Sequence, residues 1–203
     1  MSAVTSDRAT AGREAGRYGK LTERFEGLTL QRHELVKRIK ETAYLEGDFT
    51  LRSGKKSKYY LDKYRFETQP DILAALGLEF ARFVKSSTTL IAGAELGGVA
   101  LAAATSLAAM KPFVIVRNSK KGYGTGNLFE GLITAGDSVL LVEDIATTGG
   151  QVIEAAQAIH EVGAKVERIV AVIDRLQGAG QNITEAGFEF NALFTKADLG
   201  ITA

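Results

Sequence analysis

Apolar residues return along this chain with two periods, and the places where one gives way to the other outline its elements. Over residues 31–45, Leu35, Val36, Ile39, Ala43 and Tyr44 recur at helical spacing, which predicts an amphipathic helix that docks on a core or covers a site. Residues 49–51 and 57–62 read as two extended pieces around the turn signal Ser53-Gly54-Lys55-Lys56. Pro70, flanked by Thr68 and Asp71, predicts a helix over 70–85, with Leu73, Leu76, Phe80, Phe83 and Val84 as its buried stripe. A strand over 90–92, the small-residue turn GAELGG over 93–98, an Ala-rich helix over 99–110 and a strand over 113–117 follow. The run VERIVAVID over 166–174 predicts another strand. A short helix over 181–186, a strand over 188–194 and a last helical turn over 195–199 complete the reading. Strands alternating with helices argue for an α/β fold around a doubly wound, mostly parallel sheet. Ligands of such sheets bind at the carboxyl ends of the strands, so the turns after Ala92, Arg117 and Glu143 are expected to face one cleft.

The stretch VLLVEDIATTGGQ, residues 139–151, carries the chemistry. A buried parallel strand over 138–143 leads to the acidic pair Glu143 and Asp144, then to Ala146, Thr147, Thr148, Gly149 and Gly150. A helix over 151–162 follows, with Val152, Ile153, Ala156 and Ile159 on its apolar face. Free backbone N–H groups and the positive dipole end at a helix start bind phosphate, and the glycines let the backbone wrap the anion. A bare phosphate would avoid two carboxylates. A phosphorylated sugar would not, because carboxylates accept hydrogen bonds from its hydroxyls and attract a divalent metal. No G-x-x-x-x-G-K-[ST] sequence is present, which excludes a P-loop.

Two breaks in the pattern matter. Residues 1–27 are polar and weakly patterned, and predict a flexible tail without the apolar core of a signal peptide. Residues 117–131, RNSKKGYGTGNLFEG, form a long glycine-rich loop inside the domain, expected to be a mobile lid whose Arg117, Lys120 and Lys121 close over a polyanion. Residues 28–203 then form one domain. Arg175, after the strand over 166–174, sits at another carboxyl end and suits a planar carboxylate; its plain alternative is an ion pair with Asp174. His33 and His160 fall on predicted helices away from these turns and are read as packing or surface residues.

Composition changes the picture little. The 203 residues carry a formal net charge of +1, which gives no global case for nucleic acid or membrane as partner. No apolar run approaches the roughly 20 residues of a membrane helix. Cysteine is absent, which removes thiolate chemistry and fits a reducing, cytoplasmic setting.

The segment FTLRSGKKSKYYLD, the turn over 93–98, the lid KKGYGTG, the run LVEDIATTGG and the Asp174-Arg175 end resemble, in order and spacing, the orotate phosphoribosyltransferases. The strand-acid-acid-Thr/Gly stretch is similar to the phosphoribosyl pyrophosphate (PRPP) signature of the type I phosphoribosyltransferases. The resemblance implies the type I phosphoribosyltransferase fold, with a small hood built from the chain termini and a mobile lid. It implies transfer of the phosphoribosyl group of PRPP to orotate with Mg²⁺, in a homodimer whose lid acts in trans. The 5′-phosphate would lie on Ala146, Thr147, Thr148, Gly149, Gly150 and Gln151, beside Ile145, with Glu143 and Asp144 on the ribose hydroxyls. Arg117, Lys120, Lys121 and Tyr123 would reach the pyrophosphate, and Arg52, Tyr60, Thr147 and Arg175 would border orotate. Arg117, Lys121 and Asp144 are the implied catalytic contacts. Mg²⁺ would arrive on PRPP near Glu143 and Asp144, with no side chain assigned as its direct ligand.

Three positions depart from patterns common in that family: Asn118 where many members have Lys, Tyr123 where many have His, and Gly97 where some have Lys. Two other readings compete. Transfer to a different base is disfavoured by the cations Arg52 and Arg175, which suit an anionic one. A non-catalytic PRPP-sensing regulator that binds nucleic acid would need a basic stripe or a DNA-binding motif; the tail interleaves its Arg8, Arg13, Arg17, Lys20 and Arg24 with acids.

Overall fold

In a computed structural model, residues 30–50, 54, 56–118 and 128–201 are described. The first helix, α1 (Arg32–Ala43), buries Leu35, Ile39 and Ala43, the period read from the sequence. It stops where an antiparallel hairpin begins, β1 (Tyr44–Thr50) paired with β2 (Lys56–Leu61). Tyr44, expected in the helix, starts that strand and pairs with Leu61. A five-residue helix the sequence reading lacked, α2 (Lys63–Glu67), follows at once, and α3 (Pro70–Ala81) then starts at its proline and ends sooner than expected.

The main sheet holds six strands in the order β5-β4-β3-β6-β7-β8. These are β3 (Leu90–Ala94), β4 (Phe113–Val116), β5 (Phe129–Glu130), β6 (Ser138–Ala146), β7 (Lys165–Asp174) and β8 (Phe190–Thr195). All neighbours pair in parallel except β5, a two-residue antiparallel strand on the β4 edge, inside the stretch read as lid. Helix α4 (Gly97–Ala109) links β3 to β4, α5 (Gly150–Glu161) links β6 to β7, and α6 (Ala179–Glu185) links β7 to β8. Of residues 195–199, expected to be a helical turn, Thr195 ends β8 and 196–199 are plain turns.

Successive strand residues sort to the two faces of the sheet. Ile91, Leu140, Val142, Val170 and Val172 join Leu101, Leu76, Phe80, Phe66 and Ile39 in one core, under α1 to α4. Ala92, Val139, Leu141, Ile169 and Ala171 join Val152, Ala156, Ile159 and Ile183 in the other, under α5 and α6. Both faces are covered, which is why the strands read as continuous apolar runs.

From β3 the chain winds out to β4 on one side and returns to β6 on the other, so the sheet changes winding direction between β3 and β6. The crevice at the carboxyl ends of strands at such a switch point is where ligands bind. Gly93 lets this seam close: a Cβ there would lie 2.1 Å from the Gly98 carbonyl oxygen at the start of α4.

Candidate functional site

Strand β6 runs three residues past the point where the sequence reading ended it. Glu143 pairs with Ala171, Ile145 with Ile173 and Ala146 with Asp174. The acidic pair is therefore held in the sheet rather than in the turn. The turn that follows is short. Gly149 adopts φ 82°, in the left-handed region, and caps α5 with no side-chain hydrogen bond. The Ile153 N–H donates to the Gly149 carbonyl at 3.0 Å, and the amides before it have no earlier carbonyl of this helix to bond. Thr147 is half-buried, while Thr148, Gly150 and Gln151 are exposed, so those amides and hydroxyls are open to a ligand.

Neighbouring elements brace this turn. Asn182 on α6 donates to the Thr148 carbonyl at 2.8 Å, and a Cβ on Gly149 would press on Ile183 at 2.9 Å. The Gln151 side chain donates to Asn118 Oδ1 at 2.7 Å, and the Asn118 N–H donates to Glu95 Oε1 at 2.9 Å. Asn118, one of the departures noted above, thus links the turn after β3, the base of the glycine-rich loop and the start of α5. Arg117 is half-buried, with Nη1 3.5 Å from Glu130 Oε1 and 4.0 Å from Glu95 Oε2. The three turns expected to share a cleft do share one.

The acidic pair does not stand alone. Asp144 is only 2% exposed. Its Oδ2 lies 2.5 Å from the Lys63 ammonium of α2, and its Oδ1 accepts the Ile145 N–H. Burial raises the Glu143 carboxyl well above its ordinary value, and the adjacent Asp144 charge raises it further. Glu67, on the same small helix as Lys63, is 3% exposed with Oε1 lacking a hydrogen-bond partner. Burial, then the Asp144 charge, pushes its carboxyl up to about 8. For Lys63 burial works downward, but the attraction and hydrogen bond of Asp144 outweigh it, and the ammonium is held above its ordinary value.

Arg175 follows β7, and its backbone N–H donates to the Ala146 carbonyl at 3.0 Å. Its Nη2 donates to the Tyr59 hydroxyl at 3.2 Å, and the guanidinium lies 5.5 Å from the Tyr59 ring centroid. Its Nε is buried without a hydrogen-bond partner, and no carboxylate pairs with it among the described residues. Asp174, the alternative partner, instead accepts the Leu176 N–H at 2.8 Å. Strand alternation places Tyr59 inward beside Arg175; Tyr60 is 42% exposed and tilts against Phe49. Arg52, Lys120, Lys121 and Tyr123 lie outside the described residues, as does the expected N-terminal tail. Lys63, Glu67, Glu95 and Tyr59 are the site residues that sequence reasoning missed. Among the described residues, no group of three or more His, Asp or Glu side chains is placed to hold a metal ion.

A buried neutral Glu67 leaves a mark on stability. Its value is about 8 in the fold against an ordinary 4.5. Between the two, the folded chain keeps a proton that the unfolded chain has released. The stability Glu67 contributes is complete below the lower value and is lost as pH rises through the upper one. Glu67→Gln removes this dependence. Its stability relative to the parent should therefore grow with pH, by up to about 1.4 kcal/mol per unit across that window. Urea unfolding of both proteins from about pH 5 to about pH 9 checks this; a pH-independent difference would mean that Glu67 is ionised in the fold.

Comparison with known proteins agrees with this geometry. A family model of the phosphoribosyl transferase domain matches residues 69–190. An orotate phosphoribosyltransferase of Methanocella arvoryzae is 40% identical over 167 residues, covering 82% of this chain and 95% of that protein. One of Methanocaldococcus jannaschii is 41% identical over 173 residues, covering 85% and 98%. The crystal structure of Mycobacterium tuberculosis orotate phosphoribosyltransferase in complex with PRPP is similar, with a TM-score of 0.72 at 29% identity, over 84% of this chain and 99% of that one. With relatives of this kind matched over nearly their whole length, the chain belongs to the orotate phosphoribosyltransferase family and carries its phosphoribosyl transferase domain.

Proposed function

We propose that this protein transfers the phosphoribosyl group of PRPP to orotate, releasing pyrophosphate and forming orotidine 5′-monophosphate, a step of pyrimidine biosynthesis. The observation that carries the reading is the β6–α5 turn. An uncapped helix start with a left-handed glycine before it sits beside two carboxylates, and across from it stands an arginine with a buried, unpartnered N–H. Phosphate, ribose and an anionic base each find a matching group. In this reading the amides and hydroxyls of residues 147–151 take the 5′-phosphate, and Glu143 and Asp144 take the ribose hydroxyls. Arg175 takes the orotate carboxylate through charge-assisted hydrogen bonds, in an orientation set by Tyr59.

Displacement at the anomeric carbon builds positive charge on the ribose and negative charge on the departing pyrophosphate. Arg117, and with it Lys121 from the glycine-rich loop, would stabilise the leaving group; one preorganised donor of this kind is worth about 3 to 4 kcal/mol. Mg²⁺, a hard cation that prefers oxygen ligands, would supply further charge neutralisation on the phosphate oxygens of PRPP. It would arrive on PRPP near Glu143 and Asp144, with neither assigned as its direct ligand. Orotate arrives already anionic, so no protein nucleophile is needed.

The reading extends to a homodimer with the loop acting in trans. Leu96 and Met110, which flank α4, Leu107 within it and Phe113 at the start of β4 are exposed large apolar residues, which suit contact with a second copy. Pairing a Lys121→Ala chain with an Asp144→Ala chain tests this. Mixed refolding gives roughly half heterodimers, so a loop serving its neighbour restores activity to about a quarter of the parent level. Confirmed heterodimers that stay inactive would place each loop over its own site.

Loss of orotate absorbance should require both PRPP and Mg²⁺, and neither hypoxanthine nor adenine should replace orotate. In the same assay Arg175→Ala should raise the orotate requirement by roughly ten- to a hundredfold, with a much smaller change for PRPP. Turnover of a purine with orotate inert would refute the assignment, and equal losses for both substrates would refute the role of Arg175.

A further inference from the structure

The Asp144 carboxylate is fixed from three directions, two of them outside its own strand. The Ile145 N–H holds Oδ1 from within β6, and the Lys63 ammonium stands 2.5 Å from Oδ2. Gly97, at the start of α4, closes the third side: a Cβ there would fall 1.6 Å from Oδ2, so any side chain at that position would displace the carboxylate. Helix α2, which delivers Lys63, is itself packed down through the fully buried Phe66, with Glu67 buried beside it. A carboxylate this buried, next to a second one in Glu143, is costly to leave without a counter-charge beside it. Among the described residues, Lys63 is the cation that pairs with it.

We infer that Lys63 is a positioning residue for the PRPP site: it acts through Asp144, holding that carboxylate in the conformation the sugar-phosphate meets. The inference rests on the β6–α5 turn being the PRPP site. It also ties the hairpin-and-helix segment that precedes the main sheet to the switch point. Any shift of α2 moves the charge that Asp144 answers to, so the grip on PRPP depends on an element that need not touch PRPP.

A double-mutant cycle on PRPP affinity separates this from a merely structural lysine. The parent, Lys63→Met, Asp144→Asn and the double variant are titrated calorimetrically with PRPP and Mg²⁺, and their urea midpoints are recorded alongside. Lys63→Met should weaken PRPP binding roughly tenfold or more in the parent background and hardly at all once Asp144 is Asn. Additive losses, or a folded Lys63→Met protein that binds PRPP like the parent, would overturn the inference. Should Lys63→Met fail to fold, Lys63→Arg and Lys63→Gln take its place. Arg, which keeps the charge, should bind within a few-fold of the parent, while Gln, which keeps only hydrogen bonding, should lose affinity; equal binding by the two overturns the inference. A parent protein that does not bind PRPP would refute the proposed function itself, an outcome distinct from normal parental binding with an additive cycle.

Discussion

The structure turns on one buried charge. Asp144 sits at the carboxyl end of β6, at the switch point of the sheet, almost wholly removed from water and paired with Lys63. A carboxylate in that position is costly to desolvate, and several features of the chain make sense as ways of meeting the cost. Lys63 supplies the counter-charge from α2. Gly97 leaves room where any side chain would collide with the oxygen. Glu67 stays neutral at ordinary pH, because burial and Asp144 hold its carboxyl at about 8. Three separate elements, α2, α4 and β6, are drawn together by this one group.

The β6–α5 turn beside it obeys the complementary rule. There the backbone donors are left open rather than satisfied. Gly149 turns the chain in the left-handed region, no side chain caps α5, and α6 props the turn from behind through Asn182 and Ile183. In the proposed reading, this rigid support with open donors makes the turn a preformed phosphate site. Among the described residues, Arg117 and Arg175 stand on the flanks of the turn, where the proposed function places a diphosphate and an anionic base.

Much of this was legible in the residues. The strand, acidic pair and glycine turn were visible because each has a distinct period or composition, and the shared cleft followed from strand–helix alternation alone. What escaped has physical causes. Helix α2 spans five residues, too few to show a period, so Lys63 and Glu67 looked like linker. Tyr59 and Tyr60 are adjacent aromatics, and only the pairing of β2 with β1 decides which one turns inward toward Arg175. The end of β6 reads as turn because the acids, the alanine and the glycines around it disfavour strands, but pairing with β7 carries it through to Ala146. Tyr44 continues the helical period of α1, yet its pairing with Leu61 claims it for the hairpin.

The central claim is that the β6–α5 turn, organised around Asp144, is where the sugar-phosphate binds. Backbone amide resonances followed during titration with PRPP and Mg²⁺ test it most directly. The account predicts the largest shifts at residues 147–151, with a second set at 95–98 across the switch point. It predicts silence at Ser87, Thr89 and Asp137, at the opposite, amino ends of the central strands β3 and β6. Shifts concentrated at those amino ends, with 147–151 unmoved at saturation, would contradict it.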